Sequence, residues 1–308
     1  MENVRQKLLD IEGSQQIRLL GIRRALNHAL LTGGARKKRR RRKENSRKSY
    51  ISYWGSKRRV ASAISQYMLP AFNAKRKTFV EPFCGTAYMS TYLMRTVPRG
   101  VVTRYMLSDR NADMVALLKA LKKGWLPSYQ RVSQKTWNAW KASRSTSATK
   151  TFYGILHGFG GMLLNGSKPR LFPGTVTDTE GYVRRTIATL KETHGCLASH
   201  RVNISEKSFD EGTYRDSVIY LDPPYVCGGS VNARCWKKNQ YDVFLSQIRE
   251  WLKPALNNRV FLSGALRPHN IKGLRFRKLW SQRVFNHQSS KHEKKKSRHE
   301  ILWECVRG

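Results

Sequence analysis

A short apolar run at residues 218–221 stops abruptly at Asp222-Pro223-Pro224-Tyr225. An uninterrupted apolar run of this length is typical of a strand buried on both faces, as strands of a parallel sheet are. The two prolines fix φ, remove backbone donors and push Asp222 away from the helical region, so the chain leaves the strand as a stiff elbow. The sequence therefore predicts a parallel sheet with an acid and an aromatic ring at one strand end.

The ordered part of the chain alternates β-prone runs with helical periodicity from Tyr50 onwards. The β-prone runs are residues 78–81, 101–107, 218–221, 259–262, 274–280 and 300–306, and the helical ones are 113–122 and 241–252. Alternation of this kind predicts βαβ units and a mostly parallel α/β sheet, with the last two runs as an antiparallel pair at one edge.

Residues 125–200 interrupt this alternation with many aromatic residues among glycines and basic residues, which predicts an insertion with its own packing. We expect four segments: an N-terminal helix and basic arm at 1–49, then 50–124, the insertion 125–200, and 201–308. Residues 1–31 have helical spacing from a Ser14 N-cap to Gly33-Gly34. This helix either docks a partner protein or folds onto the main domain.

The chain of 308 residues carries 59 Lys and Arg against 20 Asp and Glu, a net charge of +39. Such an excess indicates a polyanionic partner, nucleic acid above all. By charge, we expect its contacts at the basic arm 36–48, the insertion, and the stretch from Lys291 to Arg298. The sequence contains no long apolar span of the kind that predicts a membrane protein. Five cysteines without a CxxC pattern and a start without a secretory segment predict an intracellular, reducing setting, with nuclear or virion-associated placement as alternatives.

Two motifs precede the proline elbow. In residues 79–87 a strand leads into a small-residue turn, where Gly85 lets a ligand approach the backbone closely and Glu81 stands at the strand end. Asp109 ends the next strand and is placed to accept hydrogen bonds from ribose hydroxyls. The alternative for Asp109 is a helix cap, and the length of the loop separates the two roles.

The elbow itself offers what an exocyclic aromatic amine needs. Asp222 and the Pro223 carbonyl can accept the two N–H groups of the amine, and Tyr225 can stack on the base. Two acceptors would draw the amine nitrogen toward sp³ character and stabilise charge that develops during attack.

The motif set resembles the Dam-type adenine-N6 DNA methyltransferases, whose amino-methyltransferase signature is Asp-Pro-Pro-Tyr. The resemblance begins near Ser52, includes residues 53–57, 79–85, Asp109 and the signature, and runs to the C-terminus. It implies a Rossmann-like, S-adenosylmethionine-dependent α/β methyltransferase with an inserted target-recognition region. The basic N-terminal extension lies outside the resemblance. The implied residues for S-adenosylmethionine are Trp54, Lys57, Glu81, Phe83, Gly85, Asp109, Ser208 and Phe209, and the implied catalytic residues are Asp222, Pro223, Pro224 and Tyr225. No metal is implied.

The sequence departs from the family at two places. Ala87 stands where the family more often has a second glycine, and residues 157–166 replace a polar and aromatic base-reading stretch. We therefore expect methylation of adenine in DNA at an undefined target site. Two alternatives stay open: an RNA adenine methyltransferase, or a retired methyltransferase fold that serves as a structural nucleic-acid-binding component of a viral or ribonucleoprotein assembly.

Overall fold

The computed structural model describes residues 51, 53, 56–128, 130–169, 176–224, 236, 238–264, 268, 271–285 and 297–308. All of them belong to one compact unit, Tyr50–Gly308. The predicted helix at 1–31 and the basic arm at 36–48 lie outside the described residues. Among the residues described, no helix is both long enough and apolar enough to cross a membrane.

The described part of the chain forms a mixed seven-stranded sheet. Its strands are β1 (Thr78–Glu81), β2 (Arg104–Asp109), β3 (Val202–Glu206), β4 (Ser217–Leu221), β5 (Arg259–Gly264), β6 (Leu274–Phe285) and β7 (Ser297–Arg307). Their order is β3-β2-β1-β4-β5-β7-β6. Pairing is parallel from β3 to β5, and β7 runs antiparallel to both β5 and β6. The parallel sheet and the late antiparallel pair are confirmed, and the doubly wound order is Rossmann-like.

Helices cover both faces of this sheet. They are α1 (Ala61–Met68), α2 (Tyr88–Thr96), α3 (Ala112–Lys122), α4 (Gln134–Ala142), α5 (Ala148–Leu156), α6 (Val176–Ser199) and α7 (Lys238–Trp251). Residues of α1 to α6 pack with Phe79, Tyr105 and Tyr220 on one face. Helix α7 packs with Val80, Ile219 and Leu221 on the other face. Burial on both faces explains why β4 reads as a continuous apolar run.

Two sequence expectations need correction. The second strand begins at Arg104 rather than at residue 101, because its neighbour β1 begins at Thr78 and pairs with Arg104. The insertion does not pack separately: Trp137, Phe152 and Val183 are buried in the same core as the strands. Aromatic side chains spread over several helices bury more apolar area against an existing core than against one another.

Candidate active site

The pleat of the sheet brings three acids to one face at the carboxyl ends of neighbouring strands. Side chains alternate along a strand, so Glu81, Asp109 and Asp222 share a face with the core residues Phe79, Leu107 and Tyr220, which precede each of them by two positions. Strand order reverses between β1 and β4. The crevice at such a switch point is where open α/β sheets bind ligands.

A cavity of about 420 Å³ opens at this switch point. This volume lies within the range of about 300–1,000 Å³ that is common for small-molecule sites. The described residues that line it are Tyr53, Ser56, Lys57, Glu81, Phe83, Cys84, Gly85, Thr86, Tyr88, Met89, Asp109, Asn111, Met162, Leu163, Asp222, Pro223 and Pro224. The residues predicted from the two motifs and the proline elbow therefore meet in one cleft.

Four predicted residues are not in that lining. Phe209 lies behind it and stacks on Phe83 with 5.6 Å between ring centroids. Ser208 begins the turn Phe209–Glu211, where its backbone N–H donates to Glu211 Oε1 at 2.8 Å. Trp54 and Tyr225 lie outside the described residues, so their roles stay predictions.

Asp109 holds the small-residue turn after β1. Its Oδ2 accepts from the Gly85 N–H at 2.8 Å and its Oδ1 accepts from the Asn111 N–H at 2.9 Å. Helix α3 is capped by Asn111, whose side chain accepts from the backbone N–H groups of Asp113 and Met114. The alternative that Asp109 caps this helix is therefore wrong, and its carboxylate stands in the cleft wall. Burial raises the pKa of Asp109 despite these hydrogen bonds.

The turn after β1 contains two residues in the left-handed region, Gly85 at φ +48° and Ala87 at φ +55°. A Cβ on Gly85 would lie 3.1 Å from Tyr53 Cε1, so the missing side chain keeps the cleft open there. Ala87 is fully buried and stands outside the described lining of the cleft. The alanine at this position therefore strains the backbone at the start of α2 rather than narrowing the cleft.

Glu81 is a buried acid at the floor of the cleft. Its Oε2 accepts from the Ser90 N–H at 3.2 Å and from the Ser90 hydroxyl. Burial raises the pKa of Glu81 to about 8, although the Ser90 hydrogen bonds oppose the change. A cationic ligand group beside Glu81 would favour its ionised form.

The Asp222 carboxylate forms an ion pair with Lys57. Its Oδ1 lies 2.7 Å from Lys57 Nζ, and the same ammonium lies 3.3 Å from Glu300 Oε1. A hydroxyl chain supports the acid, because Ser263 Oγ donates to Asp222 Oδ1 at 3.3 Å and lies 2.8 Å from the Tyr220 hydroxyl. Burial raises the pKa of Asp222, and Lys57 opposes that change while Glu300 adds to it.

Several residues of the site carried no usable sequence signal. Glu300 lies in a run that predicts only a strand, and Ser263 and Ser90 are common residues of a strand and a helix. Met162 and Leu163 belong to the stretch where the family pattern breaks off. Their places depend on contacts between distant parts of the chain, whereas Tyr53 and Ser56 could have been found from the motif at 53–57.

No cluster of potential metal ligands occurs among the described residues. Two histidines, one in α6 and one directly after it, contact backbone carbonyls: His194 Nδ1 lies 2.8 Å from Leu121 O, and His200 Nδ1 lies 2.9 Å from Cys196 O. In the same described part, Cys84, Cys196 and Cys305 are free thiols.

Residues 53–166 match the family model described as D12 class N6 adenine-specific DNA methyltransferase. This match confirms the resemblance drawn from the motifs and covers the cofactor-side turn, Asp109 and the first part of the insertion. The chain is therefore similar to a methyltransferase family over these residues, and its sheet has the Rossmann-like order. None of the curated protein sequences compared with the chain matches it.

Solved structures with similar folds include three methyltransferases. A proposed RNA methyltransferase from Pyrococcus horikoshii is 10% identical with a TM-score of 0.40 and covers 82% of this chain and 85% of its own. The ribosomal RNA methyltransferase aviRa from Streptomyces viridochromogenes is 16% identical, with a TM-score of 0.38 and coverage of 81% and 84%. Precorrin-6y C5,15-methyltransferase from Geobacter metallireducens is 10% identical, with a TM-score of 0.32 and coverage of 79% and 86%. At these TM-scores the similarities carry no argument, and the assignment of the fold rests on the strand order alone.

Proposed function

We propose that this protein methylates the exocyclic amino group of adenine in DNA with S-adenosylmethionine as donor. The observation that carries the proposal is the meeting of two half-sites in one cleft. Glu81, Gly85 and Asp109 form one wall, and Asp222 and Pro223 form the other. The family match over residues 53–166 supports the choice of an adenine amine.

The first wall fits S-adenosylmethionine. The Asp109 carboxylate is held at the end of β2 by backbone donors and suits ribose hydroxyls, while Gly85 permits close approach of the ligand to the turn. Buried Glu81 suits the positive charge of the methionine amino group, and Phe83 and Lys57 add an apolar and a cationic part of the same lining. When bound there, S-adenosylmethionine supplies an electrophilic methyl group on its sulfonium.

The second wall suits the nucleophile. The Asp222 carboxylate and the Pro223 carbonyl would hold the amine, and Pro224 would keep the elbow stiff. An adenine inside a duplex is out of reach of such a cleft, so the base must be flipped out of the stack. Stacking of that base on Tyr225 remains part of the proposal without a structural account.

Nucleic acid would be held mainly through phosphate contacts. In the insertion, Arg131, Lys135 and Arg144 are exposed, and the arm at 36–48 and the stretch from Lys291 to Arg298 add further positive charge. Such contacts set affinity and position but carry no base specificity. Binding should therefore weaken steeply with salt for DNA and RNA alike.

The test is transfer of labelled methyl groups from S-adenosylmethionine to matched DNA and RNA oligonucleotides. We expect N6-methyladenine in DNA, and a loss of about a hundredfold or more in rate with Asp222→Ala, because transition-state hydrogen bonds disappear. Methylated RNA with unmethylated DNA would establish the RNA alternative. An Asp222→Ala variant with the parental rate would contradict the role of the elbow.

Absence of transfer to either polymer would favour the retired fold. Calorimetric titration of S-adenosylmethionine into the parent protein and into Asp109→Ala distinguishes the remaining cases. Binding that the substitution abolishes would show an intact donor site, and the search would then turn to the acceptor.

A further inference from the structure

One lysine in the lining of the cleft, Lys57, lies between two acids. Lys57 is 5% exposed, Asp222 is 19% exposed and Glu300 is 3% exposed. Asp222 comes from the end of β4 and Glu300 from β7, so the pair is assembled from distant parts of the chain. Each of these two ion pairs is too buried to be dismissed as a solvated surface contact.

The observed geometry poses a conflict for the proposed reaction. One oxygen of the Asp222 carboxylate, Oδ1, already lies 2.7 Å from the Lys57 ammonium. An amine that enters the cleft must compete with a full positive charge for this oxygen. A neutral amine has no charge to set against that of the ammonium, so it loses the competition at Oδ1 unless Lys57 has a second acceptor.

Glu300 has the properties of a second acceptor for the Lys57 ammonium. Its Oε1 is buried and accepts no hydrogen bond from the described part of the chain, although Lys57 Nζ is only 3.3 Å away. A buried acceptor without a hydrogen bond destabilises the folded protein. A movement of the ammonium toward Glu300 would satisfy this oxygen and release Asp222 at the same time.

The register of β7 places Glu300 close to Lys57, so the ammonium would move only a short distance to reach it. Ile301 pairs with Gly264, the last residue of β5, so Glu300 stands one residue past the carboxyl end of that strand. The pleat places it on the same face as Leu302, which belongs to the core beneath Tyr220. Glu300 therefore contacts Lys57 from the β7 side of the sheet, on the opposite side of β4 from β1 and β2.

We propose that Glu300 is a second acceptor for the Lys57 ammonium, and that transfer of this ammonium from Asp222 to Glu300 frees Asp222 for the target amine. This inference rests on the proposed function. Glu300 acts through Lys57 and is a positioning residue. Its carboxylate also keeps the lysine charge inside the cleft after Asp222 has been released.

A matched control stands on the same strand. Glu304 is equally buried and lies on the same face, but Arg259 and Arg277 bind it far from the cleft lining. Glu300→Gln and Glu304→Gln remove the same charge from the same strand. Only the first is expected to affect methyl transfer.

The first experiment compares kcat, KM and donor binding for the parent and these two variants. For Glu300→Gln we expect kcat to fall about tenfold, because Lys57 stays on Asp222. The calorimetric Kd for S-adenosylmethionine and the KM for the oligonucleotide should change less than about twofold, since phosphate contacts dominate the latter. Glu304→Gln should keep the parental kcat. A parental kcat in Glu300→Gln, or equal losses in both variants, would overturn the proposal.

The second experiment does not require turnover. A crystal structure of Asp222→Asn should show Lys57 Nζ closer to Glu300 Oε1 than the 3.3 Å of the parent and hydrogen-bonded to it, because the competing charge is gone. An ammonium that stays beside the substituted side chain or turns into the cleft would overturn the proposal. If the parent protein methylates neither DNA nor RNA, the proposed function fails, and this structure still decides whether Glu300 is the second acceptor.

Discussion

Two buried acids four residues apart on β7 have opposite environments. Glu304 is 2% exposed and is bound on both carboxylate oxygens, by Arg259 on Oε1 and by Arg277 on Oε2. Glu300 shares one lysine with Asp222 and has an oxygen that accepts no hydrogen bond among the described residues. The arginines are 38% and 64% exposed, so the cations that bind Glu304 are partly solvated, whereas Lys57 is buried.

The difference separates a structural acid from one that is available for chemistry. A fully bonded carboxylate has no free acceptor and gains nothing from movement of its partners. A carboxylate that shares its cation can exchange it at little cost. Burial alone does not distinguish the two, because both acids are buried on the same face of the same strand.

The largest effect of losing an ion-pair partner is expected from Lys57→Met. This change leaves Asp222 and Glu300 buried side by side without their cation, and the free energy of unfolding should fall by about 3 kcal/mol at pH 8. The deficit should shrink as the pH falls, because burial raises the pKa of Asp222 and protonation of this acid removes the repulsion. Urea unfolding across pH measures this, and a deficit independent of pH would contradict the shared-cation description.

A smaller loss is expected from Glu304→Gln. The two arginines lose their acid, but both are partly solvated, so the loss in free energy of unfolding should be about 1–2 kcal/mol. Glu300→Gln should cost less, because Lys57 keeps Asp222 as its partner. Thermal unfolding of the two variants, measured side by side, checks this order. A lower stability of Glu300→Gln than of Glu304→Gln would contradict the assignment of Glu304 as the structural acid.

The pH dependence of stability should reveal Glu81. Its pKa in the folded protein is about 8, above the ordinary value of 4.5, so the folded state holds this proton over a range where the unfolded state has lost it. Stability of the ligand-free protein is therefore highest at low pH with respect to this group and falls as the pH rises toward 8. The slope approaches about 1.4 kcal/mol per pH unit.

Glu81→Gln provides the control for this slope, because an amide oxygen can still accept from Ser90. The variant should match the parent near pH 5 and become the more stable protein near pH 8. Parallel curves for the two proteins would show that Glu81 is ionised in the folded state throughout.

The smallest effect is expected from Ala87→Gly. Glycine relieves a left-handed backbone at φ +55° but removes a fully buried methyl group. Each contribution is about 1 kcal/mol, and they oppose each other, so the free energy of unfolding should change by less than about 1 kcal/mol. The Kd for S-adenosylmethionine should stay within about twofold, since Ala87 stands outside the described cleft lining; a tenfold change would place Ala87 in the site.

Local sequence patterns were enough to predict six of the seven described strands, the switch-point motifs and the acids that end them, but not the edge strand β3. Apolar runs, prolines and turn glycines act over a few residues, so Glu81, Asp109 and Asp222 could be placed at the ends of buried strands before any contact was known. The helix cap at Asn111 and the packing of the insertion were harder to predict, because they depend on loop length and on the area buried against the main core.

Which of these acids has a partner, and which cation it shares, depends on contacts between parts of the chain that are distant in sequence. Lys57, Asp222 and Glu300 are far apart in sequence, and their meeting follows from the order of β4, β5 and β7 in the sheet. A residue pattern along one strand cannot distinguish Glu300 from Glu304. The distinction is electrostatic and long-range, since it depends on what the opposite elements bring to the end of each strand.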